Sequence, residues 1–374
     1  MKYLIFDHNH CGHHLEYIHH LWMTICLQNS DNKYIFILSP KYKDRWPLME
    51  WPNNSNITIQ YISEREIKKF DNTNFFRRSI YLSKILSHYI NKIKPQRVIL
   101  NDLTPFMPSL PLYIHTPKLI NGILYKIPRY KKYKSTKQII IDKILLHIYS
   151  KSRCFNQVLL LNDENSPNWY NSQYNTSVFK YIPDPINIKK FKQPKNNVQN
   201  NKIVLIHGGG LGKRKGTFTI LKALELLDDK TLQQLSIHLV GSISNKEERS
   251  YVLNFINSHS KIDIMFTDSF VSFETLLTEI ANGDYMLIPY ENTEQSSGFL
   301  GYAAYYRKPV IGPANGLLGD LIKSYDLGLT VNPMTPEQLK NIFQSLSKGM
   351  ITNAKVLEYT NSRTITNFSL ILLS

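Results

Sequence analysis

The sequence predicts an α/β protein of two doubly wound, parallel-sheet domains in series, joined by a linker. Three observations carry this. The chain has 374 residues, too many for one ordinary core, and is 42% hydrophobic with 23 Tyr and 17 Phe, enough to fill two. Short β-rich apolar runs alternate with longer helical patterns from end to end, as parallel strands wound with crossover helices require. The alternation breaks at Ile182-Pro183-Asp184-Pro185, runs through a stretch rich in Lys, Asn and Gln, and starts afresh at Lys202.

The expected divisions are residues 1–182, a linker 183–202, a second domain 203–350, and a segment 351–374 apolar enough to be a helix docked on one of the domains. The first domain should place strands at Tyr3–Asp7, Tyr34–Leu38, Ile57–Tyr61, Val98–Leu100, Leu112–Ile114 and Val158–Leu161, with amphipathic helices over Phe75–Ile93 and Lys137–Tyr149. The second should place them at Ile203–His207, Ile237–Val240, Ile262–Thr267, Tyr285–Ile288, Val310–Ile311 and Leu329–Val331. Ligands of such sheets bind beyond the carboxyl ends of the strands, so two of them predict an interdomain cleft.

Composition narrows the partners. The net charge is +16, and between Lys118 and Arg153 there are ten basic residues against one acid, Asp142. That cluster wants an anionic partner, whether lipid headgroups, nucleic acid or a phosphorylated substrate, and an anionic membrane surface is the one expected. No helix-turn-helix, zinc or RNA-binding signature accompanies it, so nucleic acid is not expected. No apolar run reaches bilayer length, and Met1–Asp7 turns polar too soon for a signal peptide. Three cysteines (Cys11, Cys26, Cys154) without metal-like spacing predict reduced thiols and a cytoplasmic location, and the basic stretch 118–153 then makes it peripheral on the inner face of the plasma membrane.

Two loops carry chemistry. In the first, the strand Ile203–His207 runs into Gly208-Gly209-Gly210-Leu211-Gly212-Lys213-Arg214-Lys215-Gly216 and then a helix from Thr217 to Leu227. Glycines let backbone approach an anion, the helix N-terminus offers free N–H groups, and Arg214 and Lys215 would neutralise a diphosphate. A plain strand-to-helix turn with solvated lysines is the competing reading. The glycine order fits neither a dinucleotide fingerprint nor a P-loop. In the second, a strand ends at Pro289, a loop carries Glu294, and Ser296-Ser297-Gly298 opens a helix to Tyr306, followed by Lys308-Pro309-Val310-Ile311. Glu294 there is either a hydroxyl acceptor or an ordinary surface carboxylate.

Together the loops resemble the retaining glycosyltransferases of family four (glycosyl transferases group 1), over roughly Lys202 to Val331. That family has G-R-L-x-x-x-K-G after the first strand of its C-terminal domain, and Glu-x7-Glu before a small-residue helix ending in G-K-P-V-I. The resemblance implies the GT-B fold, two Rossmann-like domains with a cleft between them. It also implies hexosyl transfer from a nucleotide-sugar donor to a glycan or lipid-linked acceptor in surface polysaccharide synthesis. It places the motif lysine on Lys215 and the first motif glutamate, a donor-sugar contact, on Glu294. Gly209, Gly210, Arg214, Ser296, Ser297 and Gly298 complete the donor side. Two departures stand out: the family's arginine falls on Gly210, and its second glutamate, which holds the ribose, falls on Tyr302. No DxD-type motif sits at either loop, so no metal and no cofactor are expected. The segment Asp268–Leu276 is where the fold presents backbone to the base, although Ser272 also reads simply as a helix cap.

In the first domain, Asp7-His8-Asn9-His10-Cys11-Gly12-His13-His14 follows the first strand. The spacing matches no zinc pattern. Either His13 or His14 is the candidate that binds or polarises an acceptor, with Gly12 opening the helix; a capping role for them competes. Asp102 and His115, each after an expected strand, are further acceptor-side candidates. An epimerase of the same fold and a non-enzymatic basic binding module are the alternatives.

Overall fold

The computed structural model describes residues 1–374 except 11, 29, 47–48, 72, 132–134, 188–201, 270 and 293, and the side chains of 45, 70 and 71. The chain divides into two compact units: Met1–Arg129, Tyr133–Asp184 and Ile365–Ser374 in one, Tyr130–Lys132 and Pro185–Thr364 in the other. Most of the expected linker, 188–201, lies outside the described residues, as do Cys11, Lys132 and Lys134.

The N-terminal unit holds β1 (Lys2–Asp7), β2 (Lys33–Leu38), β3 (Ile57–Tyr61), β4 (Arg97–Leu100), β5 (Ile120–Leu124), β6 (Phe155–Leu161) and β7 (Phe179–Ile182). They form a parallel sheet in the order β3-β2-β1-β4-β5-β6-β7. Leu4, Ile5, Phe36, Ile99, Ile123 and Leu159 are wholly buried, as strands covered by helices on both faces must be. The strand order reverses between β1 and β4.

The strand expected at Leu112–Ile114 is instead a short helix, Leu110–Tyr113. Pro111 sits in its first turn, where a missing N–H costs nothing, and Leu112 faces solvent. The strand is the fully buried β5. The edge strand β7 was also not anticipated; the Asn171 side chain both accepts from Phe179 N–H and donates to its carbonyl.

The C-terminal unit holds β8 (Ile203–Gly208), β9 (Leu235–Val240), β10 (Ile264–Thr267), β11 (Tyr285–Leu287), β12 (Val310–Pro313) and β13 (Gly328–Val331), parallel in the order β10-β9-β8-β11-β12-β13. Its reversal falls between β8 and β11, whose ends carry the two motif loops. Leu205, Leu224, Leu239, Leu287 and Ile311 anchor its core.

The C-terminal segment is two helices rather than one. Ala354–Ser362 packs on the helix Gly298–Tyr305 of the C-terminal unit, and Ile365–Leu373 packs on the helix His13–Leu27 of the N-terminal unit. There Phe368 meets Tyr17 with ring centroids 4.7 Å apart. The buried Asn121 of β5 donates to the carbonyls of Leu372 at 3.0 Å and Ser374 at 3.1 Å, satisfying orphan acceptors at the helix end.

Candidate functional site

At the end of β8, Gly209 (φ +95°) and Gly216 (φ +79°) adopt backbone that other residues resist. Gly216 also lies directly against the start of the second motif loop. A Cβ there would lie 2.1 Å from the Pro289 carbonyl oxygen, which only glycine tolerates. Glu291 N–H donates to the Arg214 carbonyl at 3.2 Å, and the Phe299 ring would lie 3.0 Å from a Cβ on Gly209. Both loops therefore meet at the switch point of this sheet.

Lys213–Lys215 form a single 3₁₀ turn leading into the helix Thr217–Glu225. The ammonium of Lys215 stands 3.6 Å from the centre of the Tyr290 ring, a cation–π contact that holds it beside the second loop. Arg214 is exposed, and so is Gly210, whose Cβ position is open space.

Beneath the loop lies a buried relay that sequence reasoning missed. The fully buried His207 has Nδ1 3.0 Å from the Leu287 carbonyl and Nε2 3.0 Å from Thr217 Oγ1, and that oxygen accepts from Gly212 N–H at 2.9 Å. Leu287 can only accept, so Nδ1 carries the hydrogen and Thr217 donates to Nε2. Burial, with Lys215 nearby, pushes the imidazole down to about 4, so it is neutral at pH 7. Glu248 was missed as well. Its carboxylate accepts from Lys213 N–H at 3.2 Å, from a helix (Lys246–Ser258) that only the fold brings near.

On the second loop, Glu294 is buried and its N–H donates to Asn292 Oδ1 at 3.0 Å. Ser297, also buried, precedes the helix Gly298–Tyr305, but its hydroxyl pairs with Tyr290 OH at 3.2 Å instead of capping that helix. Ser296 is half-buried beside it. Tyr302 is buried, edge-on to Phe273 with centroids 4.9 Å apart. Ser272 caps the helix Phe273–Asn282 through Thr275 N–H at 3.1 Å.

The N-terminal unit carries its own group at the β1/β4 reversal. His14 is buried against Asp7, whereas His13 is half-exposed and 3.4 Å from Glu16. Gly12 (φ +61°) opens the helix from an exposed turn. Asp102 follows β4, accepts from Thr104 N–H at 2.8 Å, and is pushed up by burial. His115 is exposed beyond the short helix Leu110–Tyr113, not at a strand end as expected. Among the described residues no three His, Cys, Asp or Glu are grouped to hold a metal, and no helix is long and apolar enough to cross a membrane.

Residues 188–363, which include both motif loops, match the model of the family described as glycosyl transferases group 1. Among solved structures the chain is similar to Anabaena Alr3699/HepE in complex with UDP, at 13% identity and a TM-score of 0.70, covering 100% of this chain and 98% of that one. It is similar to sucrose-phosphate synthase from Thermosynechococcus elongatus (14% identity, TM-score 0.68, 100% and 96% covered). It is also similar to WaaG, a glycosyltransferase involved in lipopolysaccharide biosynthesis (12% identity, TM-score 0.62, 99% and 95% covered). No curated protein matches it in sequence. Two Rossmann-like units with parallel sheets of seven and six strands put the chain in the GT-B class of fold. The match over residues 188–363, in a chain of this fold, makes the protein a glycosyltransferase.

Proposed function

We propose that this enzyme moves a hexosyl group, with retention, from a nucleotide-sugar donor bound in the C-terminal unit to a glycan or lipid-linked acceptor in surface polysaccharide synthesis. The observation that carries the reading is the lodging of Gly216 against the Pro289 carbonyl, which joins the basic glycine loop to the Glu294 loop. Lys215, Arg214 and the amides opening the helix at Gly298 stabilise the departing diphosphate, and Glu294 contacts the donor sugar. Gly209, Gly210, Ser296 and Ser297 line the same place. No metal is required by this arrangement of charge. The UDP complexes of a structural neighbour make uridine diphosphate the first leaving group to try. Retention is the outcome expected from the resemblance of the two loops to the retaining enzymes of family four.

The acceptor belongs with the N-terminal unit, where Gly12, His14 and Asp102 gather at the sheet reversal. His13 and His115 are the more exposed candidates there. An anionic membrane surface on the cytoplasmic side suits the basic stretch 118–153. On its helix Thr136–Lys151, Ile140, Ile141 and Ile144 are exposed on one face with Lys137.

The test supplies UDP-glucose with and without a membrane lipid extract. Free UDP should accumulate only when the extract is present. Equal release without it, or a changed sugar still attached to UDP, would exclude transfer in favour of hydrolysis or epimerisation.

A further inference from the structure

Within the C-terminal unit, past the carboxyl ends of β11, β12 and β13, lies a cavity of about 550 Å³. Small-molecule sites span about 300–1,000 Å³. Its walls include the buried Pro289, Tyr290, Pro313 and Val331, all at or just beyond strand ends. Those ends are tied together: the Pro289 carbonyl lies against Gly216, and Ala314 N–H donates to the Val331 carbonyl at 3.0 Å. The polar groups are Thr219, half-buried, and the exposed Glu291, Asn315 and Asn332. Glu294, the carboxylate assigned to the donor sugar, does not line it.

The polar groups are set out for a ligand. Asn315 precedes the helix Gly316–Ser324, yet its side chain makes no capping bond there. Its Nδ2 donates instead to Asn332 Oδ1 at 3.0 Å, which leaves Asn315 Oδ1 to accept and Asn332 Nδ2 to donate. The Glu291 carboxylate and the Thr219 hydroxyl have no hydrogen-bond partner among the described residues. A matching ligand therefore both donates and accepts, and rests an apolar face on rigid proline rings. Adjacent hydroxyls and the C–H face of a pyranose meet both demands. No lysine or arginine lines the cavity, and Glu291 is the one charged residue among the described residues that do, so an anion would be repelled. A nucleobase would need an open aromatic face, whereas Tyr290 is buried with the Lys215 ammonium 3.6 Å from its ring centre.

We propose that this cavity is a carbohydrate subsite that holds a neutral pyranose unit of a glycan, apart from the sugar of the donor. Glu291 and Asn315 accept from its hydroxyls, Asn332 donates to one, and Pro289 and Pro313 support the ring. The subsite goes beyond the transferase reading, since a glycan can be held here whichever unit carries the attacking hydroxyl.

Saturation-transfer NMR on the full chain tests it, with methyl α-glucoside, methyl α-galactoside and methyl α-mannoside as separate probes and UDP saturating throughout. At least one glycoside should receive saturation from the protein. Its dissociation constant should rise by about tenfold or more in Glu291→Ala and in Asn315→Ala, each of which removes a hydrogen-bond partner. Both side chains are exposed and neither caps a helix, so the variants should fold and bind UDP in calorimetry as the wild type does. No transfer to any of the three glycosides, or equal affinity in both variants, would overturn the subsite. So would displacement of the glycoside when UDP-glucose replaces UDP, because the cavity would then be the place of the donor's own sugar. A chain that binds the glycoside here but never transfers from UDP-glucose would remove the transferase reading and leave the subsite standing.

Discussion

His207 Nε2 stands 3.0 Å from Thr217 Oγ1, and through that one hydroxyl a fully buried imidazole sets the position of the Gly212 amide in the glycine loop. Its other nitrogen holds the Leu287 carbonyl at the end of β11, so a single ring spans the strands that carry both motifs.

This relay makes stability depend on pH in a definite direction. His207 titrates at about 4 in the fold against 6.5 when free, so between those values the unfolded chain binds a proton that the folded one refuses. Stability is full above pH 6.5 and is lost as pH falls to 4, by about 3 kcal/mol at the lower end. Denaturant unfolding at a series of pH values should show this loss, and His207→Gln should flatten it by about one proton. Thr217→Val strands two buried partners and should cost about 1–3 kcal/mol, whereas Thr217→Ser should restore most of it. An equal pH slope in His207→Gln would mean another group is responsible.

Glu294 is the carboxylate assigned to the donor sugar. Glu294→Gln keeps its shape and its backbone turn with Asn292 but weakens a charged hydrogen bond. The expected loss in kcat/KM is about tenfold to a hundredfold, or about 1.5–3 kcal/mol. A folded Glu294→Ala enzyme with full activity would remove the assignment.

Tyr302, where the family has a ribose-binding glutamate, is packed against Phe273. Donor affinity should then rest on the diphosphate far more than on the ribose. UDP and its 2′-deoxy analogue should compete with the donor at similar inhibition constants. A penalty of tenfold or more for the deoxy compound, about 1.4 kcal/mol, would show that the ribose is gripped.

The exposed Ile140, Ile141 and Ile144 beside Lys137 and Lys143 should seat the helix Thr136–Lys151 on anionic lipid. Each basic residue at such a surface contributes about 1 kcal/mol. Sedimentation with phosphatidylglycerol vesicles should decline with salt and drop further in Ile144→Asp. Equal binding to neutral phosphatidylcholine vesicles would reject an electrostatic membrane contact.

The two sheets and both motif loops were legible because buried parallel strands read as apolar runs and glycine turns punctuate them. β5 was not, since Asn121-Gly122 reads as a turn; its Asn121 is satisfied by Leu372, 251 positions away, which local patterns cannot reveal. The edge strand β7 was hidden because it runs directly into the proline-rich break that ends its unit. Asp7 and the His207 relay escaped notice for the same reason. An aspartate ending a strand and a histidine inside one gain meaning only from partners such as Asn101 and Leu287, supplied by neighbouring strands.

The central claim is that the glycine loop and the Glu294 loop grip one nucleoside diphosphate. Hydrogen exchange with and without UDP tests it most directly. UDP should slow exchange together in residues 209–217 and 294–301. Lys215→Ala, which removes the cation seated on Tyr290, should weaken that protection by roughly tenfold in apparent affinity. Protection confined to one loop, or lying elsewhere in the chain at saturating UDP, would contradict the account.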